Sequence, residues 1–310
     1  MKDPVNSTDG PGAGRYAPSP TGELHLGNLR TAVLAWLFAR SSGRAFLLRI
    51  EDLDTGRVRP GLAERQVADL AALGIGFDGV PVVQSERTAA HEAALDALAG
   101  RTYECFCTRR EIADAASAPH DEPLGYRRYP GTCRDLTEGE RQTRRATRAP
   151  ALRLRASAGA ETTTTIHDLL HGEVTGVVDD IVLRRNDGVA AYNLAVVVDD
   201  LASGIDQVVR GDDLLASAVN QAHLTTLLGG RPPTYAHVPL AVNTAGRRLA
   251  KRDGAVTLAD LAAVGVEPPQ VLTRIAASLD LAGPGEIVTL EDLLPRFDPA
   301  RLPREPWVIG

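Results

Sequence analysis

An α/β fold with a parallel sheet is predicted by the order of patterns in the first part of the chain. A short segment, 15–18, runs into a Pro/Gly turn and is followed by a helical pattern. The apolar stripe of this helix consists of Leu29, Val33, Trp36 and Leu37. Residues 45–50 form an apolar run of strand length, and 61–73 show a second helical pattern that ends at Gly74. Strands that alternate with helices usually pair in parallel, which predicts an α/β domain.

Composition and length favour an ordinary globular protein. The 310 residues allow one large domain and a smaller one, and no apolar run reaches the ~18 residues of a membrane helix. The Gly- and Pro-rich segment 1–14 lacks the apolar core of a signal peptide. We interpret it as a disordered lead-in and expect a cytoplasmic protein that needs no more than a monomer.

The charge balance argues against a protein that coats nucleic acid, because the formal net charge is −6. A local basic stretch could still contact RNA, or could be solvated surface. It consists of Arg141, Arg144, Arg145, Arg148, Arg153 and Arg155.

Residues 103–150 interrupt the strand–helix alternation, so we interpret them as an insertion between two halves of the sheet. This segment contains all three cysteines, Cys105, Cys107 and Cys133. An odd, clustered set favours a metal site or free thiols over disulfides. On the residues alone, the three thiolates could complete a tetrahedral zinc site with either His120 or Tyr129.

Regular patterns return beyond the insertion. We expect regular structure over 177–184, a helix over 214–228 and a helical tail beyond Thr257. His167 and His171 have the spacing of neighbours on one helix face, and we expect a structural role for them rather than a zinc site. Three acidic pairs are expected to cap helices or line the sheet edge without a catalytic role: Asp179 and Asp180, Asp199 and Asp200, and Asp212 and Asp213.

The strongest chemical signal is a Pro/Gly turn with His25-x-Gly27 directly before the first helix. The unpaired N–H groups and positive dipole of a helix N-terminus suit a triphosphate, so we expect ATP here. His25 can donate to the α-phosphate, and Gly27 leaves room for close packing of the nucleoside. A basic loop downstream, 246–254, contains Lys251, which could stabilise pyrophosphate as it leaves.

These motifs resemble those of a known family. His25-Leu-Gly-Asn28 resembles the HIGH signature of class I aminoacyl-tRNA synthetases, and Arg248-Leu-Ala-Lys251-Arg252 resembles their KMSKS signature. The strings at 15–19, 49–54, 192–195 and 209–213 are similar to the glutamyl branch, in the same order along the chain. Asn28, Arg248 and Ala250 depart from the signatures. The charge at 248 is kept, whereas the missing serine hydroxyl at 250 predicts modestly slower activation.

The resemblance implies a Rossmann-like catalytic domain whose halves are 15–102 and 151–256. A zinc-binding insertion of the acceptor type, 103–150, would meet the tRNA, and 257–310 would form a short helical tail. The implied catalytic residues are His25 and Lys251. The implied contacts of ATP, which is used with magnesium, are His25, Gly27, Asn28, Leu249, Lys251 and Arg252.

The resemblance also implies a glutamate pocket made of Arg15, Ser19, Glu51, Tyr192 and Arg210. An arginine can hold a carboxylate through two parallel hydrogen bonds, so we expect Arg210 on the γ-carboxylate, assisted by Arg15 and Tyr192. Glu51 would receive the α-ammonium group, and Ser19 would add a hydrogen bond. The alternative for Glu51 and Asp52 is a surface salt-bridge cluster with Arg49 and Asp54.

Two further features resemble the truncated glutamyl-queuosine tRNA(Asp) synthetases. Their Cys-x-Cys…Tyr-x-x-x-Cys pattern selects Tyr129 as the fourth ligand of one structural zinc ion, with metal-free thiols as the alternative. The stretch after Lys251 is too short for an anticodon-binding region of ~100 residues. This resemblance implies activation of L-glutamate by ATP without tRNA, and then transfer to the queuosine base at the wobble position of tRNA(Asp). The catalytic domain itself would bind the anticodon stem-loop.

Three other functions remain open on the sequence. A minimal glutamyl-tRNA synthetase would charge tRNA(Glu), and a non-catalytic paralogue would only bind tRNA or zinc. A nucleotidylyltransferase shares the phosphate-binding turn but has no need for a glutamate pocket.

Overall fold

The computed structural model describes residues 12–108, 110–112, 128–156, 161–247, 249, 256–283 and 285–309. In chain order its strands are β1 (Ala13–Tyr16), β2 (Ala45–Ile50), β3 (Val82–Val83), β4 (Thr102–Cys105), β5 (Ala151–Leu154), β6 (Thr163–Asp168), β7 (Gly172–Val177), β8 (Val182–Arg184), β9 (Ile205–Gly211), β10 (Thr234–Val238), β11 (Ala241–Asn243) and β12 (Trp307–Ile309). Its α-helices are α1 (Leu26–Ser41), α2 (Leu62–Ala72), α3 (Thr88–Ala97), α4 (Glu138–Arg145), α5 (Tyr192–Ala202), α6 (Leu215–Leu227), α7 (Leu258–Ala263), α8 (Pro268–Ala277) and α9 (Leu290–Leu293).

The central sheet is mostly parallel, which confirms the predicted α/β class. Its strand order is β3-β2-β1-β9-β10-β6-β7, and every neighbouring pair is parallel except β6 with β7. Strand β4, at the start of the predicted insertion, and β5, directly after it, form a separate antiparallel sheet with β8. The short strands β11 and β12 pair in parallel.

Helix α1 is the central element of the largest described core. The residues from Ala32 to Ala39 are all buried, because the helix packs against the sheet on one side and against the C-terminal helices on the other. The predicted helix end at Gly74 is confirmed, and Gly43 ends α1 in the same way: the two glycines follow α2 and α1 with φ values of 78° and 70°. Only glycine adopts this left-handed conformation without strain. None of the described helices is both long and apolar enough to cross a membrane.

The predicted helix through His167 and His171 is wrong. His167 lies in strand β6 and His171 in the turn before β7, because 162–166 is a β-branched run that favours a strand. His167 Nδ1 lies 2.7 Å from Glu173 Oε1, and His171 Nε2 lies 3.1 Å from the carbonyl oxygen of His237. Both histidines are therefore satisfied within the protein.

The carboxyl ends of the parallel strands meet at one edge of the sheet. Arg15, Arg49, Arg210 and His237 each lie one residue before the end of their strand, and Asp168 is the last residue of β6. In open α/β sheets this edge is the usual place for ligand binding. The sheet therefore brings together charged residues that are far apart in sequence.

Candidate active site

His25 is the N-cap residue of helix α1. Its Nδ1 accepts hydrogen bonds from the backbone N–H groups of Gly27, at 3.1 Å, and of Asn28, at 3.3 Å. The side-chain oxygen of Asn28 in turn accepts from the backbone N–H of His25 at 3.2 Å. Because Nδ1 is an acceptor, a neutral His25 ring carries its proton on Nε2. This tautomer can donate from Nε2 to an anion at the positive end of the helix.

Gly27 lies where a side chain would crowd the His25 ring. A Cβ at this position would come within 3.0–3.1 Å of two imidazole atoms of His25 and within 3.1 Å of the Cβ of Ala241. Glycine therefore lets the ring fold back over the first turn of α1. The sequence predicts that Gly27 makes room for the nucleoside, whereas the contact that the structure shows is with the His25 ring.

The predicted lysine loop begins and ends beside the His25 turn. Leu249, which is buried, approaches the carbonyl oxygen of Ala241 at 3.5 Å, and Ala241 is the residue that faces Gly27. At the other end, the carbonyl oxygen of Val256 accepts from Leu26 N at 3.0 Å, and Thr257 forms a β-bridge with His25. Lys251 and Arg252 themselves, like Arg248, Ala250 and His120, lie outside the described residues.

A buried carboxylate, Asp200, joins two of the arginines at the sheet edge. Arg15 donates to both carboxylate oxygens of Asp200, at 3.2 and 3.4 Å, and Arg49 donates to one of them. Burial alone would raise the pKa of Asp200, but the two guanidinium groups hold that pKa below its usual value. Arg15 is thus held in place by an ion pair within the protein.

Glu51 lies beside this network. Arg49 donates to it at 3.1 Å, and the side chain of Glu51 is only 11% exposed. Burial raises the pKa of Glu51 despite the nearby arginines. The pairing of Glu51 with Arg49 that the alternative predicted is present, but the pair is buried and is not a surface cluster. Asp54 pairs instead with Arg57 at the surface, and Asp52 accepts from Ser85.

Arg210 has a different set of partners. Its Nε donates to His237 Nε2 at 3.0 Å, and its Nη1 donates to Gln221 Oε1 at 2.7 Å. Its Nη2 donates to the carbonyl oxygen of Leu214 at 3.3 Å, and the hydroxyl of Tyr192 lies 3.5 Å from Nη1. All of these partners are uncharged, and within the described part of the chain no carboxylate pairs directly with this buried guanidinium group.

The remaining predicted pocket residues line a cavity of about 840 Å³. Ser19, Glu51 and Tyr192 line it together with Cys105 and Cys107. Tyr192 is 42% exposed, so its ring is open to a ligand. The cavity connects the sheet edge to the cysteine cluster of the insertion.

The three cysteines lie close together with Tyr129. The Tyr129 hydroxyl is 3.4 Å from the sulfur atoms of Cys105 and Cys107, and the sulfur atoms of Cys107 and Cys133 are 3.5 Å apart. A zinc ion with bonds of about 2.0–2.3 Å in a tetrahedron separates its ligand atoms by roughly 3.5–3.8 Å. The donor set therefore fits zinc in both chemistry and spacing, and the thiols are not joined as a disulfide.

The basic stretch of the insertion is largely paired with acidic side chains. Arg145 contacts both Glu104 and Glu138 at 2.7 Å, and Arg148 contacts Glu111 at 3.0 Å. Arg144 instead approaches Cys133 Sγ at 3.9 Å. An RNA phosphate would have to compete with these ion pairs.

Sequence reasoning missed four residues that hold the site together. Asp200 was expected to be a cap or a sheet-edge residue, but it is a buried counterion inside helix α5. His237, Gln221 and Asp168 were not singled out, although they surround or support Arg210. His237 lies close to the end of strand β10 and Gln221 lies on helix α6, and neither position belongs to a distinctive motif.

A turn capped by His25 before the first helix, on a parallel sheet with charged residues at its carboxyl edge, is similar to the arrangement expected for class I aminoacyl-tRNA synthetases. The sequence model for the catalytic domain of "tRNA synthetases class I (E and Q)" matches residues 13–309, and the chain belongs to this family of ligases.

Comparison with curated proteins identifies similar sequences. The chain is 62% identical over 301 residues to a glutamyl-Q tRNA(Asp) synthetase of Nocardia farcinica, covering 96% of this chain and 93% of that protein. It is 52% identical to the protein of the same name from Cutibacterium acnes, covering 91% of this chain and 81% of that protein.

Solved structures give the same family. A glutamate tRNA ligase from Elizabethkingia meningosepticum, in complex with its amino acid, matches with a TM-score of 0.78 and 26% identity. The match covers 96% of this chain and 67% of that chain.

Proposed function

We propose that the protein activates L-glutamate with ATP and then transfers the glutamate to the queuosine base of tRNA(Asp). In the first step the α-carboxylate attacks the α-phosphate of ATP, which gives glutamyl-adenylate and pyrophosphate. In the second step a hydroxyl of the base attacks the activated carbonyl and AMP leaves. The observation that carries the proposal is the buried Arg210, whose described partners are all neutral.

The charge of Arg210 supports an acidic substrate. A buried cation is costly unless a counterion compensates it, and a γ-carboxylate would supply that counterion through charge-assisted hydrogen bonds. The Tyr192 hydroxyl is positioned to add a further bond. Glutamine would leave the charge uncompensated, so the pocket should reject it strongly.

The other pocket residues have matching roles. Glu51 receives the α-ammonium group, whose positive charge would favour the ionised form of a carboxyl with a raised pKa. Ser19 adds a hydrogen bond. Arg15 assists Arg210 in binding the γ-carboxylate, and Asp200 fixes the orientation of Arg15.

ATP would bind at the head of helix α1. His25, with its proton on Nε2, donates to the α-phosphate, and Gly27 and Asn28 shape the turn beneath it. Leu249 holds one end of the basic loop beside this turn, and Lys251 and Arg252 in that loop would stabilise the pyrophosphate. Magnesium accompanies the nucleotide.

The acceptor assignment rests on the relatives and on the insertion. The similar proteins of Nocardia farcinica and Cutibacterium acnes are both named glutamyl-Q tRNA(Asp) synthetase. A structural zinc ion held by Cys105, Cys107, Tyr129 and Cys133 would stabilise the wall of the cavity that lies between the pocket and the insertion. We place the anticodon stem-loop at this cavity.

The activation step is tested by ATP–pyrophosphate exchange without tRNA. We expect exchange with glutamate, and little with glutamine or aspartate. Arg210→Gln should abolish the glutamate signal, whereas Arg274→Gln in helix α8 should not. A folded, zinc-loaded sample without glutamate-dependent exchange would remove the enzymatic proposal and leave a binding paralogue.

The acceptor is tested separately by acid-gel electrophoresis with labelled glutamate. We expect labelling of queuosine-containing tRNA(Asp) and none of tRNA(Asp) that lacks the base. Charging of tRNA(Glu) alone would replace our acceptor with that of a minimal glutamyl-tRNA synthetase.

A further inference from the structure

We propose that His237 is a positioning residue for substrate recognition, with Asp168 fixing the protonation state of its ring. In this arrangement His237 holds the guanidinium group of Arg210 in the orientation that receives the γ-carboxylate. The inference rests on the proposed activation of glutamate.

Three neighbouring strands supply the three side chains. Arg210 lies on β9, His237 on β10 and Asp168 at the end of β6, and these strands are adjacent in the sheet. The register of β9 and β10 places Arg210 directly opposite His237. The contact between the two side chains is therefore built into the pairing of the strands.

The hydrogen bonds select one tautomer of His237. An arginine N–H can only donate, so the 3.0 Å contact from Arg210 Nε makes Nε2 of His237 the acceptor. The ring proton must then lie on Nδ1, from which it is donated to Asp168 Oδ2 at 2.6 Å. Either the other tautomer or a doubly protonated ring would place two donors face to face.

Asp168 is itself fixed as an anion. Its carboxylate also accepts from the backbone N–H groups of Leu170, His171 and His237. Burial alone would raise its pKa, but the bond to the His237 side chain and the backbone bonds hold the pKa below its usual value. Burial lowers the pKa of His237 to about 4, which keeps the ring neutral near pH 7.

A second contact restrains the other side of the guanidinium group. Gln221 Oε1 accepts from Arg210 Nη1, and Gln221 Nε2 donates to Asn193 Oδ1 at 3.0 Å. This bond to Asn193 fixes which end of the Gln221 amide faces the arginine. Arg210 is thus held on two sides by oriented neutral acceptors, which preserves its full charge for the substrate.

A pair of substitutions at one position separates positioning from simple packing. His237→Gln can place an amide oxygen near the former Nε2 and keep an acceptor for Arg210. His237→Asn is one methylene shorter, so it can donate to Asp168 but no longer reaches Arg210. Losing a hydrogen bond to a charged group costs about tenfold or more in affinity.

The measurement is the glutamate-dependent exchange rate as a function of each substrate. We expect His237→Asn to raise KM for glutamate about tenfold or more, and His237→Gln to raise it less than about threefold. KM for ATP should stay within about twofold for both. His167→Gln, an exposed histidine on β6, is the matched control and should change neither constant.

Equal effects of the two variants, or a parallel rise of KM for ATP, would overturn the inference. If the variants fail to fold, the ¹⁵N imidazole spectrum of the wild-type protein still tests it, because a proton on Nε2 of His237 contradicts the assignment. An inactive wild-type protein would instead refute the proposed function, so the two failures are distinguishable.

Discussion

The side chains of His25 and Asn28 cap the first turn of helix α1 reciprocally. Nδ1 of His25 accepts from the backbone N–H of Asn28, and Oδ1 of Asn28 accepts from the backbone N–H of His25. The signature that this segment resembles has histidine at the position of Asn28. The structure explains why asparagine serves here, because its short amide oxygen reaches the backbone N–H of His25. The capping interaction also fixes which imidazole nitrogen of a neutral ring carries the proton.

Asn28→Ala should therefore reduce both stability and activation. Loss of a capping interaction costs about 1 kcal/mol of stability. Because the His25 segment is then less well held, kcat of pyrophosphate exchange should fall, while KM for glutamate should change less. Urea unfolding and exchange kinetics measure the two effects. Asn28→Asp keeps the acceptor oxygen and should retain the stability, whereas an unchanged free energy of unfolding in Asn28→Ala would contradict the capping role.

Gly27→Ala should lower activity without a matching loss of stability. Alanine is the better helix former by about 1 kcal/mol, which offsets the crowding of the new methyl group. That group would lie 3.0–3.1 Å from the His25 ring and displace it from the phosphate site. We expect exchange activity to fall about tenfold or more, since misplacing a reacting group by a fraction of an ångström is costly.

Gly139→Ala is the matched control for this substitution. Gly139 lies in helix α4 with open space around the position of a Cβ. The change should stabilise the protein by up to about 1 kcal/mol and leave exchange unaltered. If Gly27→Ala also leaves exchange activity unaltered, the position of the His25 ring does not depend on the glycine.

Asp200→Asn should destabilise the protein strongly. The substitution leaves Arg15 and Arg49 buried without their shared counterion, and breaking a buried ion pair costs roughly 3–5 kcal/mol. Asp206→Asn is the control, because Asp206 also pairs with an arginine, Arg44, but its side chain is 45% exposed. Surface pairs contribute about 0–1 kcal/mol, so equal losses in the two variants would refute the buried role of Asp200.

The contrast between Arg15 and Asp200 shows how far the sequence could predict this site. Arg15 was identified because it lies in a motif, and the helix and strand periods around it were sufficient to predict β2, α1 and α2. Asp200 lies 185 residues away, and its role exists only because helix α5 packs its charged face against the sheet edge. The periodicity of one segment carries no information about which distant segment it will meet.

The same limit applies to strand β6. The helix predicted from the spacing of His167 and His171 was wrong because a single pair of residues four apart is weak evidence for a helix. The run of β-branched residues beside them is stronger evidence for a strand. Asp168, between them, acquires its role only through the pairing of β6 with β10. Local chemistry was therefore predictable, and the polar network that crosses strands was not.

Stability should decrease in acid more steeply for the wild type than for Asp199→Asn. Burial alone would raise the pKa of Asp199, but hydrogen bonds from His91 and Gln84 hold it below its usual value. The unfolded chain therefore binds a proton first, and the contribution of Asp199 is complete above about pH 4 and is lost as the pH falls below that value. Urea unfolding between pH 3 and pH 6 measures this slope, and identical slopes for the two proteins would contradict the assignment.

Tyr129→Phe should weaken zinc binding without abolishing it. The three sulfur atoms remain in place, but the hydroxyl that lies 3.4 Å from two of them is lost, and a solvent molecule must replace it. We expect one zinc ion per chain, bound at least about tenfold more weakly. Competition with a chelator measures the affinity, and Cys133→Ser should weaken it further because it removes a thiolate.

Tyr103→Phe is the control for the tyrosine ligand. Tyr103 lies in the same apolar cluster as Tyr129, but its hydroxyl bonds to Asp180 instead of the sulfur atoms. It should lower stability by about 1 kcal/mol and leave the zinc affinity unchanged. If Tyr129→Phe retains wild-type affinity while Cys133→Ser loses it, the fourth ligand is not the phenol. The site would then be a three-sulfur centre completed by another donor, since zinc in a structural site requires four.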